Sequence, residues 1–198
     1  MLSNDILRSL RYTLKATNND MVRILALADM ESISANFDTW TTKEDEDGFV
    51  RCPDIILSGF LNGLIYHLRG KDDSAPELAL ERRVNNNTVL KKLRIAFSLK
   101  TDDILAIMTE QKFRVSMPEI TSMMRAPDHK NYRECGDQFL RYFLRGLTSR
   151  EHKKKAYSSA GDHEQNRVAG ALLHFFKTRR FHYRLHLLHA DVFIGVFR

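Results

Sequence analysis

RCPDIILSGFLNGL at residues 51–64 and ECGDQFLRYFLRGL at residues 134–147 carry cysteine, aspartate, leucine, phenylalanine and glycine in the same order and at the same spacing. In each, apolar residues recur at helical intervals: Leu57, Phe60, Leu61 and Leu64 in the first copy, Leu140, Phe143, Leu144 and Leu147 in the second. Intervals of three and four place such residues on one face of an α-helix, so each copy predicts a core helix. Its cysteine falls at or just before the first turn, and Pro53 falls in that turn, where a missing N–H costs little.

The resemblance extends outward from these segments. An offset of about 83 residues aligns two halves of the chain without a gap. NDILRSLR at 4–11 lies over NTVLKKLR at 87–94, and NNDMVRIL at 18–25 lies over TDDILAIM at 101–108. About 14 of roughly 63 paired positions are identical, where unrelated sequence would give about four. The pairs include Asn4/Asn87, Arg11/Arg94, Asp20/Asp103, Cys52/Cys135, Asp54/Asp137 and Gly63/Gly146.

Each unit reads as four helices. Asn4 and Asn87 are the expected N-caps of the first, and Asn18 and Thr101 start the second, with Asp20 and Asp103 near the positive end of its dipole. SMPE at 116–119 has capping-box spacing for the third helix of the second copy; Ser32 or Ser34 takes that place in the first. Trp40 then aligns with Met123, a core-facing position. Gly63 and Gly146 interrupt the fourth helix and point to a close helix approach.

The expected fold is all-α: two tandem four-helix repeats with approximate internal two-fold symmetry, since each unit alone is too small to bury its apolar faces well. Residues 1–70 form the first repeat, 71–83 a Gly-, Ser-, Pro- and charge-rich linker, and 84–150 the second. Residues 151–198 form a basic tail without a counterpart in the repeat, read as disordered or as a marginal hairpin.

The chain of 198 residues has a formal net charge of +6. Residues 1–150 hold only about +1 of it, whereas the tail holds about +5. Within the body, residues 1–70 stand at about −3 and residues 84–150 at about +5. The first residues lack a secretory pattern, no stretch approaches membrane-spanning length, and two cysteines do not suggest a disulfide framework. A cytoplasmic protein without a membrane association is expected.

Motifs for nucleotide phosphates, nucleophilic serine or zinc are absent from the sequence, and KEDEDG at 43–48 lacks the ligand alternation of a calcium loop. No cofactor or metal is expected. Cys52, Asp54, Cys135 and Asp137 form a candidate interaction or thiol site, because a helix start lowers a thiol pKa while the nearby aspartate opposes it. Packing is the plainer reading of both cysteines.

The basic second repeat supplies candidate nucleic-acid contacts at Lys91, Lys92, Arg94, Lys112, Arg114 and Arg125. There DDILAIM at 102–108 and SMPEITSMMR at 116–125 would form a helix-turn-helix, although the connection between them exceeds the usual tight turn. Arg11 and Arg94 are candidate anion contacts, with an exposed or salt-bridged arginine as the alternative. In the tail, a helical reading would bring His182, His186 and His189 to one face.

The paired copies, with NDILRSLRY, the NND and TDD starts, CPDIILSGFLNGL and CGDQFLRYFLRGL, resemble the YehS-like family of bacterial proteins over residues 1–150. The resemblance implies a duplicated domain of unknown function in a bacterial cytoplasmic protein, and it transfers no catalytic residue. The resulting expectation is a non-enzymatic binding or regulatory protein with a protein partner. Nucleic-acid binding through the second repeat is the alternative, and thiol-dependent catalysis stands behind both.

Overall fold

The computed structural model describes residues 1–30, 37–72 and 74–157. The first repeat contains α1 (Ser3–Leu14), α2 (Asn18–Ala26), α3 (Phe37–Trp40) and α4 (Asp54–Arg69). The second contains α5 (Asn86–Ala96), α6 (Thr101–Glu110) and α7 (Met117–Met123), followed by α8 at residues 137–157. No strand occurs among the described residues. Both repeats lie in one compact unit, Met1–His152; a separate unit, Lys153–Arg198, is described only through its helical residues 153–157. The expected hairpin and histidine face of the tail, and the caps at Ser32 or Ser34, lie outside the described residues.

The duplication extends to backbone conformation. Lys15 and Ser98 have φ of 55° and 54°, while Asp29 and Lys112 have φ of 58° and 56°. Both pairs share the repeat offset, and none of the four is glycine. After the first helix of each repeat, Ala16 N–H donates to the Arg11 carbonyl at 3.0 Å and Leu99 N–H to the Arg94 carbonyl at 2.9 Å. A left-handed residue thus closes the same helical end twice, satisfying carbonyls that would otherwise lack helical partners.

The structure corrects the capping role expected of Asn4 and Asn87. α1 follows Leu2, and α5 is capped by Asn85, whose side chain accepts from Thr88 N–H at 2.8 Å. Asn4 and Asn87 lie inside the first turn and are buried. Asn4 Nδ2 donates to the Trp40 and Val50 carbonyls, and Asn87 Nδ2 donates to those of Met123 and Arg133. Each therefore ties the end of the third helix and the following loop to the first helix, satisfying backbone groups shielded from water.

Elsewhere the capping chemistry follows residue type. Asp20 accepts from Thr17 N–H, Asp103 from Lys100 N–H and Glu119 from Ser116 N–H. Each carboxylate reaches back to the residue before its helix, where the dipole stabilises negative charge. Trp40 and Met123 are both buried, as their shared register requires.

α4 occupies the centre of the core. Its residues 56–65 are all buried, and it packs against α2 and α5. One apolar stripe would not bury every side of a helix; the connecting segment supplies the additional cover. Asn62 Nδ2 donates to the Leu78 and Ala79 carbonyls, while Ser58 Oγ and Tyr66 Oη accept from Glu81 and Leu78 N–H. The linker is consequently docked along α4. Arg141 and Arg145, which occupy the equivalent positions on α8, are exposed.

The paired glycines serve close packing within each repeat. A Cβ added to Gly63 would lie 1.9 Å from the Ile24 carbonyl oxygen, and one added to Gly146 would lie 2.5 Å from Ile107 Cγ2. Ile24 and Ile107 are themselves equivalent, so the second and fourth helices approach at the same place in both copies. Neither glycine opens a contact between the repeats.

Candidate functional site

The Cys-x-Asp starts are anchored by the asparagines. Asn4 Oδ1 accepts from Cys52 N–H and Asn87 Oδ1 from Cys135 N–H, both at 2.9 Å. Cys52 is 2% exposed and Cys135 4% exposed. Burial, with a smaller contribution from the Asp54 carboxylate, pushes the Cys52 thiol up to about 12. Burial and then the Asp137 carboxylate do the same to Cys135, again to about 12. At neutral pH both remain protonated, so the arrangement supplies packing and a fixed helix start rather than a thiolate nucleophile.

The two aspartates reach the seam between repeats. Asp54 accepts from Ser3 Oγ at 2.8 Å within its own repeat and from Val84 N–H at 3.1 Å in the other. Asp137 accepts from Asn86 Nδ2 at 2.7 Å in its own repeat and from the Met1 ammonium at 2.5 Å in the other. Ser3 and Asn86 are equivalent, as are Met1 and Val84. The same positions therefore meet twice in reciprocal order, the signature of an approximate two-fold relation. Thr13 and Thr148 hydroxyls meet at 2.7 Å across the same seam.

Lys92 does not share an open face with the other nucleic-acid candidates. Lys92 is drawn into the seam, where its ammonium donates to Asn62 Oδ1 at 2.7 Å and Ser58 Oγ at 3.2 Å and pairs with Glu81 at 3.5 Å. Desolvation lowers its pKa, with Glu81 opposing the shift. Lys91 donates to the Arg125 carbonyl, and Arg94 turns back to the Leu99 carbonyl. Lys112 and Arg114 are exposed beside a cleft of about 580 Å³ that also contains Phe113 and Glu119. α7 carries Glu119 and no basic residue, and Arg125 follows its C-terminal end. The proposed recognition helix thus lacks the charge expected for phosphate contact.

A different basic cleft lies along α1. Arg8, Arg11, Tyr12, Lys15, Ala16, Thr41 and His152 line an open volume of about 730 Å³. Arg8, Arg11 and Tyr12 are separated by helical intervals, which gather them on one side of α1, and Lys15 joins them from the left-handed position that caps the helix. Arg8 pairs with Asp5 and donates to the Thr42 carbonyl, while Arg11 donates to Thr41 Oγ1 at 2.9 Å. These contacts position the guanidinium groups without using all their donors. His152 lies 3.1 Å from the Tyr12 carbonyl through Nε2, and the two rings are tilted with centroids 5.3 Å apart.

Only Arg11 of this cleft was marked by its repeat. Arg8, Tyr12 and Lys15 carry a legible signal in their 8, 11, 12, 15 spacing, but His152 comes from the segment assigned to the tail. Among the described residues, no group of three or more His, Cys, Asp or Glu is arranged to hold a metal ion, and no helix is long and apolar enough to cross a membrane.

The fold and its polar seam define a duplicated all-helical protein with a basic cleft in the repeat-bearing unit. Residues 3–70 and 86–152 match the family described as Protein of unknown function (DUF1456), and the chain belongs to that family. It is 76% identical over 155 residues to the protein of Escherichia coli (strain K12) described as Uncharacterized protein YehS, covering 78% of this chain and 99% of that relative. No solved structure matches the chain.

Proposed function

We propose that this is a cytoplasmic, non-enzymatic binding protein that holds an anionic ligand in the α1 cleft. The observation carrying this reading is the convergence of Arg8, Arg11 and Lys15 around one open cleft, with Tyr12 and His152 beside them. Several cations around one cleft raise the local concentration of an anion and supply charge-assisted donors. Asp5 compensates part of the Arg8 charge, leaving the other cations to favour the ligand.

The duplicated polar residues serve mainly to join the helices. This supports a scaffold that presents a surface, rather than paired catalytic centres at the Cys-x-Asp starts. The second repeat offers a weaker nucleic-acid surface because Lys92 is committed to the seam and Glu119 stands beside Lys112 and Arg114.

Isothermal titration with inorganic triphosphate tests this function. Saturable binding that weakens as salt rises and falls at least tenfold in Arg11→Gln/Lys15→Gln is expected. No saturable binding, or equal affinity in the folded double variant, overturns it.

A further inference from the structure

Tyr12 gives the cleft a chemical feature that bulk anion attraction does not require. Its residue is 68% exposed, although its ring is a large apolar surface. The ring has a defined neighbour because His152 lies tilted beside it and contacts the Tyr12 carbonyl. Tyr12 is therefore held beside the basic groups while retaining accessible aromatic surface. Base-to-aromatic stacking uses this combination and tolerates different bases.

The helical spacing places phosphate partners on both sides of that ring. At the usual rise, Arg8 precedes Tyr12 by about 6 Å along α1, and Lys15 follows it as the left-handed residue that caps the helix. Arg11 occupies the adjacent position and has Thr41 as a fixed neighbour. A planar base over Tyr12 would leave its attached phosphate within the cation-lined cleft. Arg guanidinium groups suit phosphate oxygens through paired donors, whereas Lys15 supplies a compact charge.

The other repeat lacks this combination. Ile95 occupies the position equivalent to Tyr12 and is exposed, while Ser98 replaces Lys15. Arg69, equivalent to His152, donates to Ser98 instead. The equivalent face keeps basic residues at Lys91, Arg94 and Arg69, so the duplicated framework differs chiefly in carrying an aromatic ring beside the cations on only one of its equivalent faces.

We propose that the α1 cleft binds a nucleoside phosphate, its base stacked on Tyr12 and its phosphate held by Arg8, Arg11 and Lys15. This identification rests on the anion-binding function proposed above. The free nucleotide and the single-stranded nucleic acid share that recognition chemistry.

The test uses the full chain with ATP, inorganic triphosphate and a short single-stranded oligoadenylate, each titrated in EDTA. ATP should bind at least tenfold more tightly than triphosphate. Tyr12→Ala should bring the affinity for ATP down to that for triphosphate, and Tyr12→Phe should retain the difference; thermal melting verifies that both variants fold. Stronger oligoadenylate than ATP binding supports a strand as source, whereas the reverse supports a free nucleotide. Equal ATP and triphosphate affinity, or a preference unchanged in folded Tyr12→Ala, overturns base recognition while leaving anion binding intact. Absence of all three binding events overturns both proposals.

Discussion

Asn4 holds the backbone N–H of Cys52 through Oδ1 at 2.9 Å while its Nδ2 serves the Trp40 and Val50 carbonyls. One buried amide thereby joins α1, the end of α3 and the start of α4. Asn4→Ala removes all three bonds and leaves interior backbone groups without these partners. A loss of about 3 kcal/mol is expected from the desolvation of unsatisfied groups, and Asn87→Ala should give a similar loss. Urea denaturation checks both values; a change below about 0.5 kcal/mol in either variant contradicts this role.

The glycines predict an ordered substitution series. Alanine at Gly63 directs its new atom at the backbone oxygen of Ile24, whereas at Gly146 the nearest obstruction is the Ile107 side chain. Gly136 has no atom within 4 Å of the added Cβ position. The expected losses are about 3 kcal/mol for Gly63→Ala, about 1 kcal/mol for Gly146→Ala and within about 0.5 kcal/mol for Gly136→Ala. Thermal denaturation should preserve that order, because helix propensity favours alanine without removing the backbone collision.

The legible part of the fold was its apolar rhythm. Leu57, Phe60, Leu61 and Leu64 repeat with Leu140, Phe143, Leu144 and Leu147, and all eight are buried. The roles of Asn4 and Asn87 were harder to read because moving from a cap into the first turn changes whether the side chain faces the helix end or a returning loop. Lys92 looked available because its partners are far away in sequence: Ser58 and Asn62 on α4, and Glu81 on the docked linker. The α1 cleft was similarly obscured, since His152 joins it from another repeat and Tyr12 has no aromatic counterpart at Ile95. Repetition reveals what builds both halves, but a feature present in one half lacks that signal.

The thiols should behave as interior groups. Below pH 9, Cys52 and Cys135 should react with a soluble disulfide reagent much more slowly than unfolded cysteine, and denaturant should accelerate both. Their folded pKa values near 12 exceed the ordinary value of 9.0. The thiol contribution to stability is therefore present below about pH 9 and is lost as pH rises towards 12. Comparing alkaline denaturation of the native chain with Cys52→Ala/Cys135→Ala should reveal a shallower decline in the variant over that window. Rapid native modification at neutral pH would contradict burial of the thiols.

At the seam, Asp137 offers a way to separate charge from hydrogen bonding. The Met1 ammonium and then the Asn86 amide hold its carboxyl below the usual aspartate value, and both bonds end on Oδ1. Asp137→Asn retains an oxygen for these donors but removes the charge, whereas Asp137→Ala removes both contributions. Because the folded pKa is depressed, the native carboxylate contributes stability above the unfolded value near 3.8, and this is lost as pH falls through the folded pKa. The difference between the native chain and Asp137→Asn should consequently shrink under acid. Its neutral-pH size should remain within about 1 kcal/mol because solvent screens the exposed pair. Asp137→Ala should cost more at every pH, and Asp54→Ala should reproduce the loss of the reciprocal Val84 contact. Urea midpoints measured across pH provide the check; an undiminished Asp137→Asn difference at acid pH would reject the charge contribution.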